Sequence, residues 1–236
     1  MRIKDSYYDD KIVFKPWGFE HTLLRIKNEV LIKYLNIEYN KQTSLHSHPT
    51  KKTGFIILNG KALVQYGIYR SNNKVYNPLS RLVMRPGLFH SIKAISKKGL
   101  QALELESPVD QNDLIRLSDK YGRKFKSYEG KNFTAKSNNI NYKLEINNKK
   151  NQSFDIGNTF VQLEKKKNFK DIKKNDLSTS AILKGEIVDK KGQCVIKHGE
   201  IVKTTTLKIL SSLFRIKVPF LIIRVSQIKN KWKNKK

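Results

Sequence analysis

The sequence predicts an all-β protein built from small antiparallel barrels. Three observations predict it: an alternating apolar rhythm from Val30 to Gly67, turn-forming residues between the apolar runs, and a strand-turn-strand unit that recurs in the second half.

The rhythm opens with Leu31, Leu35 and Ile37, continues through the block Phe55-Ile56-Ile57-Leu58, and ends with Ala62, Val64 and Tyr66 on alternate positions. Alternate residues of a strand share a face, so each run can present one apolar side. Asn59-Gly60 lies between two runs. Both positions tolerate positive φ, which makes the dipeptide a two-residue hairpin signal. Ser71-Asn72-Asn73 and Asn77-Pro78 are further breaks, and Leu82 to Met84, Ser91 to Ile95 and Leu100 to Leu105 add short strands at near-regular spacing. Helical character is confined to short stretches, chiefly Asp110 to Leu117, where Asp110 could cap and Leu114 and Leu117 share a face.

From Lys124 to Gln152 the composition turns to Lys, Asn and Ser, which reads as a surface connection. A second β-like region follows, from Ser153 to Val225. Its Ile182-Leu183-Lys184-Gly185 matches Ile57-Leu58-Asn59-Gly60, so one hairpin unit is expected twice. The resulting division is a first barrel over 1–125, a linker over 126–152, a second β domain over 153–228 and a basic tail over 229–236.

The 236 residues are enough for one large core or two small ones. With 38% hydrophobic residues and eleven Phe, the chain is too apolar to be disordered. Lys and Arg number 48 against 20 Asp and Glu, a net charge of +28 that attracts polyanions by a sequence-blind, salt-dependent route. The lysines run through the whole chain, however, as solvated charges do, and nucleic acid is not the expected partner. Met1 to Asp10 lacks the apolar segment of a secretory signal. Ile209 to Val225 is broken by Arg215 and Lys217, short of the roughly 20 apolar residues of a membrane span. Cys194 is the single cysteine, which excludes an intrachain disulfide and a cysteine-rich zinc cage. A soluble, cytoplasmic protein with no membrane partner is expected.

His46 and His48 stand at i and i+2, on one face of a strand, and His90 follows the turn Pro86-Gly87. A His-x-His pair alone is commonly surface polarity. With a third histidine in a glycine turn it becomes a site for zinc, iron, nickel or manganese, with positions open for water or substrate.

This spacing resembles the cupin superfamily, and more closely the mannose-6-phosphate isomerase domain of type II phosphomannose isomerases. His46, His48, Thr53 and Gly60 fall on the first cupin motif, and Arg85, Gly87 and His90 on the second. Lys15-Pro16-Trp17-Gly18-Phe19-Glu20 is similar to the isomerase family's opening Arg-Pro-Trp-Gly. Asp113 to Arg123 is similar to its closing Asp-Asp-Ile-Val-Arg-Phe-x-Asp-x-Tyr-Gly-Arg. The likeness covers Phe14 to Arg123.

The resemblance implies a jelly-roll (double-stranded β-helix) barrel over the first half; with the recurring hairpin unit, two in tandem are expected, the second degenerate. It implies a divalent metal, zinc first, held by His46, His48 and His90. The family's metal-binding Glu is replaced by Thr53, so weakened retention is expected unless Glu104 or Glu106 supplies a carboxylate. Arg116 matches the arginine that faces the sugar phosphate, and Glu104 matches the acidic residue of the family's Glu-Val-Gln segment. The implied reaction interconverts mannose 6-phosphate and fructose 6-phosphate, in polysaccharide or nucleotide-sugar synthesis, with proton transfer by Glu104, Glu106 or Lys33. Lys51, Lys52 and Arg85 would join Arg116 in a basic rim.

The expected partner is a phosphorylated sugar or nucleotide sugar, with a homodimer as the family's habit. A non-catalytic sugar-phosphate-binding cupin is the alternative, and an iron oxygenase of the three-histidine kind a third. In the second half, Asp171, Lys173 and Val202 stand at the histidine offsets and His198 in a turn, so no metal site is expected there.

Overall fold

The computed structural model describes residues 5–123, 130–136, 142–146, 152–217 and 219–228. Its first half contains β1 (Lys11–Lys15), β2 (Gly18–Ile26), β3 (Val30–Ile37), β4 (Leu45–Ser47), β5 (Lys52–Asn59) and β6 (Ala62–Tyr66). These are followed by β7 (Asn73–Tyr76), β8 (Arg81–Met84), β9 (His90–Ala94), β10 (Leu100–Ser107), β11 (Ile115–Ser118) and β12 (Thr134–Lys136). One antiparallel sheet has the order β12-β1-β2-β3-β10-β5-β8 and the other β11-β4-β9-β6-β7. The chain crosses from sheet to sheet, so that β3-β10-β5-β8 packs over β4-β9-β6-β7. That strand order is a jelly roll.

The second half contains β13 (Gln152–Ile156), β14 (Thr159–Lys166), β15 (Thr179–Lys184), β16 (Glu186–Val188), β17 (Cys194–Lys197), β18 (Ile201–Lys203), α1 (Thr204–Leu213), β19 (Arg215–Ile216) and β20 (Phe220–Gln227). Its sheets run β13-β14-β20-β15-β18 and β17-β16-β19. The run β14-β20-β15-β18 repeats β3-β10-β5-β8 in order. The smaller sheet has three strands because 167–178, the segment corresponding to β4, is not a strand.

The two barrels stack through their larger sheets, and this explains the unbroken apolar blocks of the sequence. On β5, Phe55 and Ile57 point into the first barrel's core, while Ile56 and Leu58 meet Val161, Ala181, Leu183 and Ile223 of the second half. On β20, Phe220 and Ile222 face their own barrel and Leu221 and Ile223 face the first. A strand buried on both faces has no polar alternate.

Four expectations are corrected. Asn59-Gly60 closes no hairpin: β5 and β6 belong to different sheets, and the dipeptide is the corner between them. Gly60 is required there, since its φ is +78° and a Cβ would lie 2.2 Å from the Gly99 carbonyl oxygen. Asp110 to Leu117 is not a helix. The Asp110 carboxylate accepts the Asn112 N–H in a tight turn, and Ile115 begins β11.

The described part of Lys124 to Gln152 is more than a surface connection. β12 pairs with β1, Leu144 is buried, and Tyr142 packs between Tyr34 and Phe154. Its low apolar content hid this because a few residues do the anchoring. Finally, α1 lies in a region read from the sequence as β-like. Leu207, Leu210 and Phe214, spaced three and four apart, seat it against the second core. The tail 229–236 lies outside the described residues. No helix among the described residues is long and apolar enough to cross a membrane.

Candidate metal centre

β4 and β9 are adjacent, with His46 directly opposite His90, and His48 follows β4 by one residue. Two strands therefore bring the three imidazoles together. Their candidate ligand atoms lie within 4.8 Å of one another, close enough for one ion once side-chain rotation draws each nitrogen to about 2.1 Å.

The hydrogen bonds fix the tautomers. Nδ1 of His46 lies 2.8 Å from the Ser44 carbonyl, Nδ1 of His48 2.5 Å from the Asp113 carbonyl and Nδ1 of His90 3.0 Å from the Leu88 carbonyl. A carbonyl oxygen only accepts, so each Nδ1 donates and each neutral ring keeps its Nε2 lone pair. The buried Nε2 atoms of His48 and His90 have no hydrogen-bond partner. An orphaned buried acceptor is costly, and a metal ion satisfies it. Burial, followed by the Lys51 charge, lowers His48 to about 3, and burial lowers His90 to about 4. Burial, followed by the other two rings, takes His46 well below its usual value. All three are neutral at pH 7, which is the ligand form. The donor set fits a divalent metal.

A strap after β10 holds the site. The Asp113 carboxylate accepts the N–H groups of Thr50 (3.1 Å) and Lys51 (2.8 Å), while its carbonyl takes the His48 proton. The Gly87 N–H in turn donates to the His48 carbonyl at 2.8 Å. The Pro-Gly turn and the strap thus both position one imidazole.

The histidines open into a cavity of about 80 Å³, several times the roughly 10–15 Å³ that one water needs. Lys15, Trp17, Glu20, Lys33, Lys51, Glu104, Glu106, Arg116 and Arg123 share its wall. Residues of all four separated motifs therefore converge on one pocket. Alternation on β10 puts Glu104 and Glu106 on the same inward face, opposite Lys33 of β3 and Phe55 and Thr53 of β5.

Buried charges form an alternating chain. Lys15 lies 3.5 Å from Glu20, Glu20 3.5 Å from Lys33, Lys33 2.9 Å from Glu106, and Glu106 3.0 Å from Lys51. Burial favours neutral forms, but Lys33 and Lys51 outweigh it at Glu106 and hold that carboxyl well below its usual value. At Lys33 burial is likewise outweighed, first by Glu106 and then by Glu20, and the amine stays charged. Glu104 goes the other way: burial, then the neighbouring Glu106, push it up to about 7.

These states sort the residues named from sequence. His46, His48 and His90 come together, and Glu104 and Arg116 line the same pocket. Lys33 is there too, but as an ammonium between two carboxylates, which is the wrong state for a base. Lys51 is not part of a rim: it is 2% exposed and donates to the Asp110 carbonyl at 3.0 Å. Lys52 pairs with Glu200 of the second barrel, and Arg85 is exposed. Sequence reasoning missed Glu20 and Asp113 as site residues. The opening and closing motifs contained both, and the isolated residues gave no further signal.

No family model matches the chain, and no curated protein matches it. Solved structures do. The cupin domain of Schizosaccharomyces pombe Cnp3 aligns at 14% identity over 39% of this chain and 64% of its own, with a TM-score of 0.36. KdgF from Halomonas sp. aligns at 14% identity over 41% of this chain and 84% of its own, with a TM-score of 0.37. The capsular polysaccharide assembling protein CapF from Staphylococcus aureus aligns at 14% identity, over 46% of this chain and 34% of its own, with a TM-score of 0.40. The chain thus spans under two thirds of the Cnp3 domain and about a third of CapF. At these scores the likenesses decide nothing, and the assignment rests on the strand order. The fold is a double-stranded β-helix, or jelly roll.

Proposed function

We propose that the first barrel is a metal-dependent enzyme that moves a proton next to a sugar carbonyl, with a phosphorylated aldose and ketose as its substrate pair. The observation that carries this reading is the carboxylate pair on β10. Glu104, raised to about 7, and Glu106, held ionised, share a wall with three neutral imidazoles. Two carboxyls pushed apart in pKa are how a site assigns a proton carrier and a fixed charge.

A divalent ion bound by the three Nε2 atoms would polarise the sugar's carbonyl and hydroxyl oxygens. Glu104 exchanges its proton near neutral pH, as a group that takes a proton from one sugar carbon and returns it to the next must. Glu106 stays charged and anchors Lys33 and Lys51. Arg116, opposite His46 on β11, offers a planar fork for the phosphate at the pocket wall. The ordered isomerase-like motifs, converging on this pocket, support mannose 6-phosphate and fructose 6-phosphate as the pair.

The test is incorporation of solvent deuterium at C2 of mannose 6-phosphate with zinc, cobalt or manganese supplied. Exchange with fructose 6-phosphate formation is the expected result; binding without exchange removes the enzymatic reading. Two observations favour that second reading, a cupin that binds phosphosugar without turnover. Thr53 replaces an anionic ligand, and the buried Lys51 ammonium lies close enough to lower His48 and His90. Both weaken a cation site.

A further inference from the structure

Thr53 is completely buried and its hydroxyl has no hydrogen-bond partner. A threonine there leaves the histidines without an anionic companion. The adjacent strand holds one: Glu106 is the direct cross-strand partner of Thr53, on the same inward face. Paired residues of neighbouring strands have Cβ atoms about 4.5–5.5 Å apart, and Glu106 lines the same cavity as the three histidines, so a turn of its side chain is what would bring an oxygen to them. Glu104 is less suited, since its partners are Phe55 and Lys33.

The bonding of Glu106 is uneven. Oε1 accepts from Lys33 Nζ at 2.9 Å in a well-formed hydrogen bond. Oε2 lies 3.0 Å from Lys51 Nζ but accepts no hydrogen bond of good geometry. One oxygen is thus anchored and the other is held by charge alone. Lys51 follows His48 by three residues and has a second acceptor, the Asp110 carbonyl, to keep its ammonium satisfied if Glu106 turns away.

We propose that Glu106 is the anionic ligand of the metal centre, moved from β5 to β10, and that Lys51 occupies its Oε2 until the ion displaces it. The inference rests on the three histidines being metal ligands. The site is then three imidazoles and one carboxylate, with Lys33 holding the far oxygen in place as an outer partner. Lys51 serves as a built-in competitor that sets how tightly the ion is kept.

The experiment titrates chelator-treated protein with Co2+, by calorimetry and by the visible absorption of bound cobalt. Glu106→Asp keeps the charge between the two lysines but shortens the reach, and Glu106→Gln removes the charge. Both should weaken Co2+ binding at least tenfold and change the cobalt spectrum. Thr53→Glu added to Glu106→Gln should restore affinity, which a purely structural role would not do. Lys51→Met should tighten binding about tenfold, and this gain should vanish in the Glu106→Gln background.

Wild-type affinity and spectrum in both Glu106 variants would overturn the proposal, as would a Lys51→Met gain that persists without Glu106. Glu106→Asp keeps the test valid if Glu106→Gln fails to fold. His48→Ala separates the two ideas. If it too leaves Co2+ binding unchanged, the metal centre itself is refuted; if it abolishes binding while Glu106 variants do not, only the fourth ligand is.

Discussion

In the first barrel Ala102 pairs with Leu35 on one side and Ile57 on the other; in the second, Ile222 pairs with Glu164 and Ile182. Both ladders slip by a residue at this point, between Gln101 and Ala102 and between Ile182 and Lys184. Aligned on that shared irregularity, Gly60 matches Gly185, Glu104 matches Arg224, Lys33 matches Gln162 and Phe55 matches Ser180. The comparison is thus between one scaffold and two sets of polar side chains.

At the matching positions of the second barrel the polar groups pair with one another, and Glu164 Oε2, which accepts no hydrogen bond, lies 3.3 Å from Lys166 Nζ. Arg224 Nε donates to Ser178 Oγ at 2.8 Å, its other nitrogens pair with Asp176 and Glu164, and Ser178 and Ser180 both bond to Thr204. In the first barrel the buried groups without hydrogen-bond partners include Nε2 of His48 and His90, which line one pocket, and the Thr53 hydroxyl. The difference traces to one strand. β4 presents His46 and His48; its counterpart, 167–178, is not a strand, and Asp171 there pairs with Lys166. One strand scaffold can carry polar groups that pair among themselves or can leave donor atoms open, and only the second kind calls for a ligand.

The largest expected break of this comparison is His48→Ala or His90→Ala, each of which should abolish metal retention while the fold persists. Asp171→Ala, at the matching offset in the second barrel, should leave metal content unchanged. Elemental analysis of the three proteins checks both. Next, Glu104→Gln should lower turnover by about 10²–10⁴-fold, measured as solvent deuterium exchange.

Glu104 should also leave a mark on stability in the metal-free protein. Its folded pKa, about 7, lies above the ordinary value of 4.5, so the unfolded chain binds fewer protons between those values. Stability therefore falls as pH rises through that window and levels off above it. Urea melts at pH 5 and pH 8 should show the slope in wild type and its loss in Glu104→Gln.

Lys33→Ala leaves Glu20 and Glu106 facing each other in the barrel and should cost about 3–5 kcal/mol in urea unfolding. The smallest effect belongs to the inter-barrel pair Lys52–Glu200, which is partly exposed. Lys52→Ala should cost under about 1 kcal/mol.

Much of this was legible in the sequence. The alternating runs gave the strands, and the spacing of His46, His48 and His90 pointed to one cluster, which the pairing of β4 with β9 assembles. The barrel stack was not legible, since Phe55 to Leu58 and Phe220 to Ile223 read as greasy blocks whether buried by one sheet or two. The ion chain was illegible for a related reason. Lys51 and Arg85 are both basic residues near a motif, and only the strap that places the Asp110 carbonyl over one of them makes it buried. α1 could have been found from the spacing of Leu207, Leu210 and Phe214, but neighbouring β-branched residues masked it.

The most direct test is anomalous diffraction at the zinc or cobalt edge from crystals grown with that metal. The account predicts one strong peak per chain, bounded by Nε2 of His46, His48 and His90, and none in the second barrel. A peak elsewhere, or none at the histidines with metal in excess, would contradict it.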